Sequence, residues 1–188
     1  MKQENDFVFR FGKWNNFSIR EKIKIIFAYL KIFWRYPWDE VLLSFRLFFL
    51  VRKKFGKDKF YNIICFSGHD LQVVGMVFFH LISENDFKFI NLNCNCDKYK
   101  KIDFNNDVFY ITRLGIIREF RNKGLGQKLI LKLINVIKNK ERFQKPQLIA
   151  VIYDKNIASN KIFEKNNFKF LCRDNRFSNS SVIYCVNK

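Results

Sequence analysis

The first part of the chain carries two kinds of hydrophobic pattern, one typical of strands and one of helices. The aromatic, alternating segment "FVFRF", residues 7–11, predicts a first strand. Ser18 followed by Glu21 resembles a capping box, and "REKIKIIFAYLKIFW" then places apolar residues at helical spacing until Pro37 ends the helix. A second helix is predicted over "DEVLLSFRLFFLVRKKF", residues 39–55, because its acidic start and basic end both suit the helix dipole.

The middle of the chain reads mainly as strands. "KFYNIICFS" and "LQVVGMVFFHLI" are predicted to form a β-hairpin that turns at Gly68 to Asp70. The polar stretch from Ser83 to Asp107 reads as a loop that holds "FKFINL", a candidate for one more strand. "VFYITRLGI", residues 108–116, is predicted to be a buried strand.

The last part of the chain alternates helices with strands. From Leu125, apolar residues recur with a period near 3.6, which predicts an amphipathic helix packed on a sheet. "QLIAVIY" reads as a strand, Asn156 as the cap of a helix that runs to about Asn166, and "FKFLCR" and "SVIYCV" as two closing strands. This order predicts an α+β fold, with a mixed, mainly antiparallel sheet of about seven strands flanked by four helices.

Length and charge limit the classes of protein that fit. A chain of 188 residues is long enough for one domain with one core, so residues 1–188 are assigned to a single domain. The net charge of +18 would attract a nucleotide cofactor, nucleic acid or an anionic membrane surface, without choosing among them. Because Lys, Asn, Ile and Phe are all abundant, a compositional bias explains the excess equally well.

The cysteines, the histidines and the N-terminal segment indicate a cytoplasmic protein without metal. The five cysteines are odd in number and form no CxxC pair, and the only histidines are His69 and His80, read as turn and strand residues. We therefore expect reduced thiols and no metal site. "MKQENDFVFRFGKW" lacks the apolar core of a signal peptide, and no apolar run is long enough for a membrane-spanning helix.

The candidate chemistry lies at a pair of glycines. Gly124 and Gly126 follow the strand that ends near Ile116 and open the helix from Leu125, so they leave backbone N–H groups free of side chains at a positive helix end. Such a cradle binds anions, and its neighbours Arg121, Lys123 and Lys128 would favour a phosphate. Neither a P-loop nor a GxGxxG dinucleotide fingerprint is present, so the glycines alone leave a structural turn open.

Two motifs resemble those of the GNAT superfamily of acyl-CoA-dependent N-acetyltransferases. "LGIIREFRNKGLGQKLI" is similar to the family signature, with Arg121, Gly124 and Gly126 at the motif positions. "NIASNKIFEKNNF" is similar to a second motif, an Asn followed by an aromatic residue and then a Gly-Phe pair, here Asn167-Phe168. The order of predicted elements also resembles the GNAT fold over nearly the whole chain.

The resemblance implies an acetyltransferase that moves acetyl from acetyl-CoA to an amine by direct attack in a ternary complex. It implies that the cradle amides hold the pyrophosphate of coenzyme A and that the preceding strand end pairs with the pantetheine arm. The cofactor-binding residues implied in this way are Leu114, Gly115, Ile116, Arg121, Asn122, Lys123, Gly124, Leu125, Gly126, Gln127, Asn156 and Phe163.

The catalytic positions depart from the family pattern. Phe163 stands where many members have a tyrosine that protonates the leaving thiolate, and Val151 stands where some have a glutamate base. Tyr153 and Asp107 are the nearest replacements, although a packed strand aromatic and a turn residue are the plainer readings of them. Proton transfer through water and loss of catalysis also stay open. Asn167 in place of glycine is a mild departure, because Asn tolerates the left-handed conformation.

The partner is the least defined part of the prediction. The first two helices are rich in aromatic residues, which fits core packing with a homodimer face, or else a hydrophobic or lipid-linked acceptor with peripheral membrane contact. Exposure of Trp34 and Trp38 would favour the second reading. The alternative function is a catalytically silent module that binds nucleic acid or another polyanion through its basic surface.

Overall fold

A computed structural model of the chain describes residues 7–33, 59–68, 71–90, 102–141, 143, 145–174 and 181–187. Within them lie seven strands, and the sheet order includes all seven: β1 Phe7–Gly12, β2 Phe60–Ser67, β3 Val73–Ile82, β4 Val108–Ile116, β5 Gln147–Tyr153, β6 Lys169–Asp174 and β7 Ser181–Asn187. The same residues contain four α-helices: α1 Ile19–Phe33, α2 Glu84–Ile90, α3 Leu125–Lys138 and α4 Ile157–Lys165. Within this part of the chain, no helix combines the length and the apolar character needed to cross a membrane.

Hydrogen-bonded strands follow the order β1-β2-β3-β4-β5-β7-β6. β4 and β5 are parallel, whereas the pairs β1–β2, β5–β7 and β6–β7 are antiparallel. The predicted mixed, mainly antiparallel α+β architecture is therefore confirmed. The helix predicted over residues 39–55 lies outside the described residues.

The predicted hairpin is confirmed, because β2 and β3 are neighbours in the sheet and the N–H of Ser67 donates to the carbonyl of Gln72 at 2.9 Å. The strand proposed for "FKFINL" is wrong, since its first four residues end α2. The reason is a local cap: the N–H of Asp86 donates to Ser83 Oγ at 3.2 Å, and the N–H of Ser83 donates to Asp86 Oδ2 at 2.8 Å. The buried Phe87 then anchors this helix.

The chain divides into two compact units. One comprises residues 1–78 and 113–132, and the other comprises residues 79–112 and 133–188. In the first unit, α1 packs on β2 and β3, and the core includes Ile25, Tyr29, Ile32, Ile64, Phe66, Val73, Met76, Phe78 and Ile117. In the second unit, the core includes Ile82, Phe87, Ile102, Val108, Ile149, Leu171 and Cys172.

α1 begins at the capping box that the sequence predicts. The N–H of Glu21 donates to Ser18 Oγ at 3.3 Å, and the N–H of Ser18 donates to Glu21 Oε2 at 2.8 Å. The other carboxylate oxygen of Glu21 forms an ion pair with Arg10 of β1. One carboxylate thus caps the helix and ties its first turn to the sheet.

Replacing the cap should therefore weaken the first unit. We expect Ser18→Ala to lower the free energy of unfolding by about 1 kcal/mol, because the N–H of Glu21 loses its acceptor. Urea unfolding followed by circular dichroism measures this change. Ser18→Thr, which keeps the hydroxyl, is the matched control and should retain most of the stability; equal losses in both variants would contradict the capping role.

Candidate functional site

The C-terminal half of β4 extends beyond its pairing with β5. Val108 to Ile111 pair in parallel with Gln147 to Ala150, and β4 then continues to Ile116. The three residues expected to meet a cofactor arm, Leu114, Gly115 and Ile116, all lie in this continuation. Their backbone is thus strand-like, which is the form that accepts an added strand.

Packing against α1 leaves no room for a side chain at Gly115. A Cβ atom at Gly115 would lie 2.4 Å from Cγ2 of Ile32 and 3.0 Å from Cζ of Phe33, both in the last turn of α1. Gly75 on β3 is also in close contact, since a Cβ there would lie 2.6 Å from Cδ1 of Ile116, at the end of that side chain. Sequence reasoning missed these contacts, because they join residues far apart in the chain.

Arg121 closes the loop between β4 and α3. A short 3-10 helix, Arg118–Phe120, follows β4, and the N–H of Arg121 donates to the carbonyl of Arg118 at 3.1 Å. The side chain of Arg121 then reaches back, and its Nε donates to the carbonyl of Ile116 at 3.1 Å. The motif arginine therefore fixes the path of the chain from the strand end to the cradle.

The cradle itself is shaped by two residues in the left-handed region. Asn122 has φ 60° and Gly124 has φ 73°. The carbonyl of Gly124 accepts the first helical hydrogen bond, from the N–H of Lys128 at 3.0 Å, so Gly124 occupies the N-cap position without a capping side chain. Within the described part of the chain, no acceptor is paired with the N–H groups of Leu125, Gly126 and Gln127.

The space in front of Gly124 is open. A Cβ built at Gly124 would meet nothing within 4 Å, and residues 121–124 are all exposed. The other side of the turn is anchored, because Leu125 and Leu129 are buried in the core. The start of α3 is thus held by the core, and the exposed residues 121–124 lie directly before it.

The charge around the cradle is positive. Arg121, Lys123 and Lys128 are exposed, and Lys123 Nζ lies 5.0 Å from the centre of the Phe120 ring. The nearby carboxylate of Glu119 is paired with Lys31 Nζ at 2.9 Å, and this hydrogen bond lowers the pKa of Glu119. A negatively charged group at the cradle would therefore be attracted both by these cations and by the positive end of the α3 dipole.

Cys65 of β2 is not available as a nucleophile. Burial raises the pKa of its thiol to about 12, and the charge of Lys128 offsets this only in part. The thiol therefore stays protonated at neutral pH, and a protonated thiol is a poor nucleophile.

In the second unit, Asn156 and Tyr153 lie together at the end of β5. The predicted cap is confirmed: Oδ1 of Asn156 accepts from the N–H of Ser159 at 3.2 Å, and the N–H of Asn156 donates to the carbonyl of Tyr153 at 2.8 Å. Asn160, which sequence reasoning missed, donates from Nδ2 to the carbonyl of Asp154 at 3.0 Å. This turn fixes the backbone of Tyr153.

Phe163 is a core residue. It is buried, and its ring lies 4.8 Å from that of Phe168 in a T-shaped arrangement. The chain returns to it through Asn167, whose φ of 63° is left-handed as expected, and the N–H of Phe168 donates to the carbonyl of Phe163 at 3.1 Å. The aromatic position of the motif thus serves packing in this chain.

The two candidate catalytic residues lie at opposite ends of β5. Tyr153 is its last residue and is exposed. Asp107 accepts a hydrogen bond through its backbone carbonyl from the N–H of Gln147, the first residue of β5, at 2.9 Å. The length of the strand separates Gln147 from Tyr153 by roughly 20 Å, so the structure brings Tyr153, and not Asp107, beside Asn156.

The histidine and tryptophan predictions are settled only in part. His80 is buried on β3 with its ring 5.5 Å from that of Tyr110, which confirms its reading as a strand residue. His69, Trp34 and Trp38 lie outside the described residues. Among the residues that are described, no three potential ligands gather as a metal site requires, and Cys65 and Cys172 are buried free thiols.

Comparison with known families identifies the class of protein. The model of the acetyltransferase (GNAT) family matches residues 25–168, which is most of the chain. The chain therefore belongs to the GNAT acetyltransferase family, and the resemblance read from its two motifs is confirmed. No curated protein matches the chain.

Solved structures show the same fold. Arabidopsis thaliana NAA60 in complex with acetyl-CoA has a TM-score of 0.59 at 13% identity, covering 97% of this chain and 98% of that one. The ribosomal-protein-S18-alanine N-acetyltransferase from Escherichia coli has a TM-score of 0.58 at 9% identity, covering 96% and 94%. The PaiA N-acetyltransferase from Thermoplasma acidophilum in complex with coenzyme A has a TM-score of 0.58 at 14% identity, covering 96% and 99%.

The close contact at Gly115 predicts that alanine at this position lowers the free energy of unfolding, whereas alanine in place of a strand glycine usually raises it. Alanine usually stabilises a strand relative to glycine, by roughly 0.5–1 kcal/mol. Here we expect Gly115→Ala to destabilise by about 1–3 kcal/mol, because the new methyl group overlaps Ile32. Urea unfolding measures this. In an Ile32→Ala background the same substitution should cost much less, and an equal cost in both backgrounds would contradict the steric account.

Proposed function

We propose that the protein transfers an acetyl group from acetyl-CoA to the amine of an acceptor, by direct attack in a ternary complex. Membership of the acetyltransferase family supports the reaction class. The observation that carries the cofactor assignment is the cradle at the start of α3. Its N–H groups have no acceptor among the described residues, its mouth at Gly124 is open, and cations surround it.

The residues present fit the chemistry of a coenzyme A pyrophosphate. Backbone N–H groups at a helix N-terminus bind phosphate oxygens, and the absence of a side chain at Gly124 lets an anion approach them. Arg121, Lys123 and Lys128 would neutralise its charge. The strand-like backbone from Leu114 to Ile116 would hold a pantetheine arm as an added strand.

Proton transfer requires a group other than Phe163. When bound, acetyl-CoA supplies a thioester that a neutral amine can attack, and the departing thiolate then needs a proton. We propose Tyr153 as the donor, because this tyrosine is an exposed residue whose backbone is fixed by the turn at Asn156. Water is the competing donor, because a thiolate is only weakly basic. Asp107 is not assigned, because it lies beside the other end of β5.

Binding of acetyl-CoA is the first test. At 100 times its dissociation constant, a ligand stabilises the folded state by about 2.7 kcal/mol, which corresponds to roughly 5 to 11 °C in a protein of this size. We expect such a rise in Tm for the wild type and its loss in Gly124→Trp, whose indole would fill the open space before the cradle.

Gly124→Ala is the matched control for this experiment. It imposes the same left-handed strain without the bulk, so it should lower the starting Tm and keep most of the shift with acetyl-CoA. ATP at equal concentration controls for general attraction of anions. A shift that persists in Gly124→Trp, or that ATP reproduces in full, would contradict the assignment.

The role of Tyr153 is tested by Tyr153→Phe. If its hydroxyl protonates the leaving thiolate, kcat should fall by roughly 10²-fold or more, while the Tm shift with acetyl-CoA stays unchanged. Release of free thiol in the presence of a panel of amines measures turnover. An unchanged kcat would assign the proton to water instead.

The exposed cations also support the rival function, a catalytically silent polyanion-binding module. Arg118, Arg121, Lys123, Lys128 and Lys132 are all exposed in the first unit. Affinity for nucleic acid that falls steeply with salt, without any specific response to acetyl-CoA, would favour this function.

A further inference from the structure

The outer face of α1 carries a row of exposed apolar side chains. Ile19, Ile23 and Phe27 are 76%, 49% and 68% exposed, and their spacing of four residues places them along one side of the helix. We call these three residues the α1 stripe. Single exposed apolar residues are common on protein surfaces, whereas a continuous row indicates a contact surface.

The stripe is separate from the face that packs on the sheet. The opposite side of α1 buries Ile25, Ala28, Tyr29 and Ile32 in the core of the first unit. Among the described residues, the core of the first unit includes the inner face of α1 and not the α1 stripe. Half-buried Ile26 and Leu30 lie beside the stripe and widen it.

Cations border the stripe. The helical spacing places Arg20 and Lys24 along one edge of it and Lys22 along the other. Lys31 lies on the same edge as Arg20 but is paired with Glu119. The only acid of the helix, Glu21, is turned to the sheet, where it pairs with Arg10. An apolar row between positive edges is the pattern of a helix that lies on an anionic interface.

A second apolar residue of the first unit is tied to this helix. Lys24 Nζ donates to the carbonyl of Leu71 at 3.2 Å, and the side chain of Leu71 is 55% exposed. Its φ of 46° is unusual for a leucine, so the fold holds it in a conformation that costs free energy.

We propose that the α1 stripe docks the protein on the surface of an anionic phospholipid bilayer. Lipid satisfies both features at once, since the apolar side chains enter the boundary of the acyl region and the cations meet the headgroups. Nucleic acid would bind only the cations and not the apolar side chains. In a dimer formed through the stripe, the cations of one copy would face those of the other and repel them.

Vesicle sedimentation tests the proposal with the full chain. We expect the wild type to sediment with vesicles of phosphatidylcholine and phosphatidylserine at 70:30, and not with pure phosphatidylcholine. Ile23→Ser/Phe27→Ser should weaken binding to the anionic vesicles by at least tenfold without lowering Tm, because both side chains are exposed. Arg20→Glu/Lys22→Glu should weaken it as well and reduce its salt dependence.

Ile157→Ser/Phe170→Ser is the matched control, because it removes the same two residue types from exposed positions off the stripe. This variant should bind the anionic vesicles as the wild type does. Equal binding by the stripe and control variants would overturn the proposal in favour of adsorption by net charge. A dimer that dissociates on Ile23→Ser/Phe27→Ser, without vesicle binding by the wild type, would overturn it in favour of a second copy.

Discussion

The close approach of α1 to the end of β4 is the constraint on which the first unit depends. Ile32 and Phe33 occupy the space that a side chain at Gly115 would need. With its inner face fixed in this way, α1 places Lys31 beside Glu119, in the short helix that leads into the cradle. The contact between helix and strand therefore also orients the loop that presents the backbone amides.

The amides of Leu125 to Gln127 have no acceptor among the described residues. An N–H group without an acceptor is expensive when buried, because it gives up its bond to water and gains none. At the start of α3, residues 121–124 are exposed and the space before Gly124 is open, so an anion can approach this helix end without meeting a side chain. A phosphate would then replace water at donors that the fold already orients, so little further ordering of the protein is needed on binding.

Local patterns in the sequence predicted most of the fold and the position of the cradle. The capping box at Ser18, the cap at Asn156 and the glycine pair are each encoded within a few residues, and the structure contains all three. The helix at residues 84–90 was missed because an aromatic alternation outweighed the short cap at Ser83. The packing at Gly115 was missed because Ile32 lies more than eighty residues earlier in the chain.

The aromatic position of the second motif is filled by a core residue in this chain. This residue, Phe163, is held in the core by Phe168, and a hydroxyl there would need a buried partner to offset the loss of water. Tyr153 is placed differently. Asn156 and Asn160 both donate to its backbone carbonyl, whereas its ring is exposed. The turn at Asn156 thus fixes the backbone of Tyr153 and leaves the residue exposed.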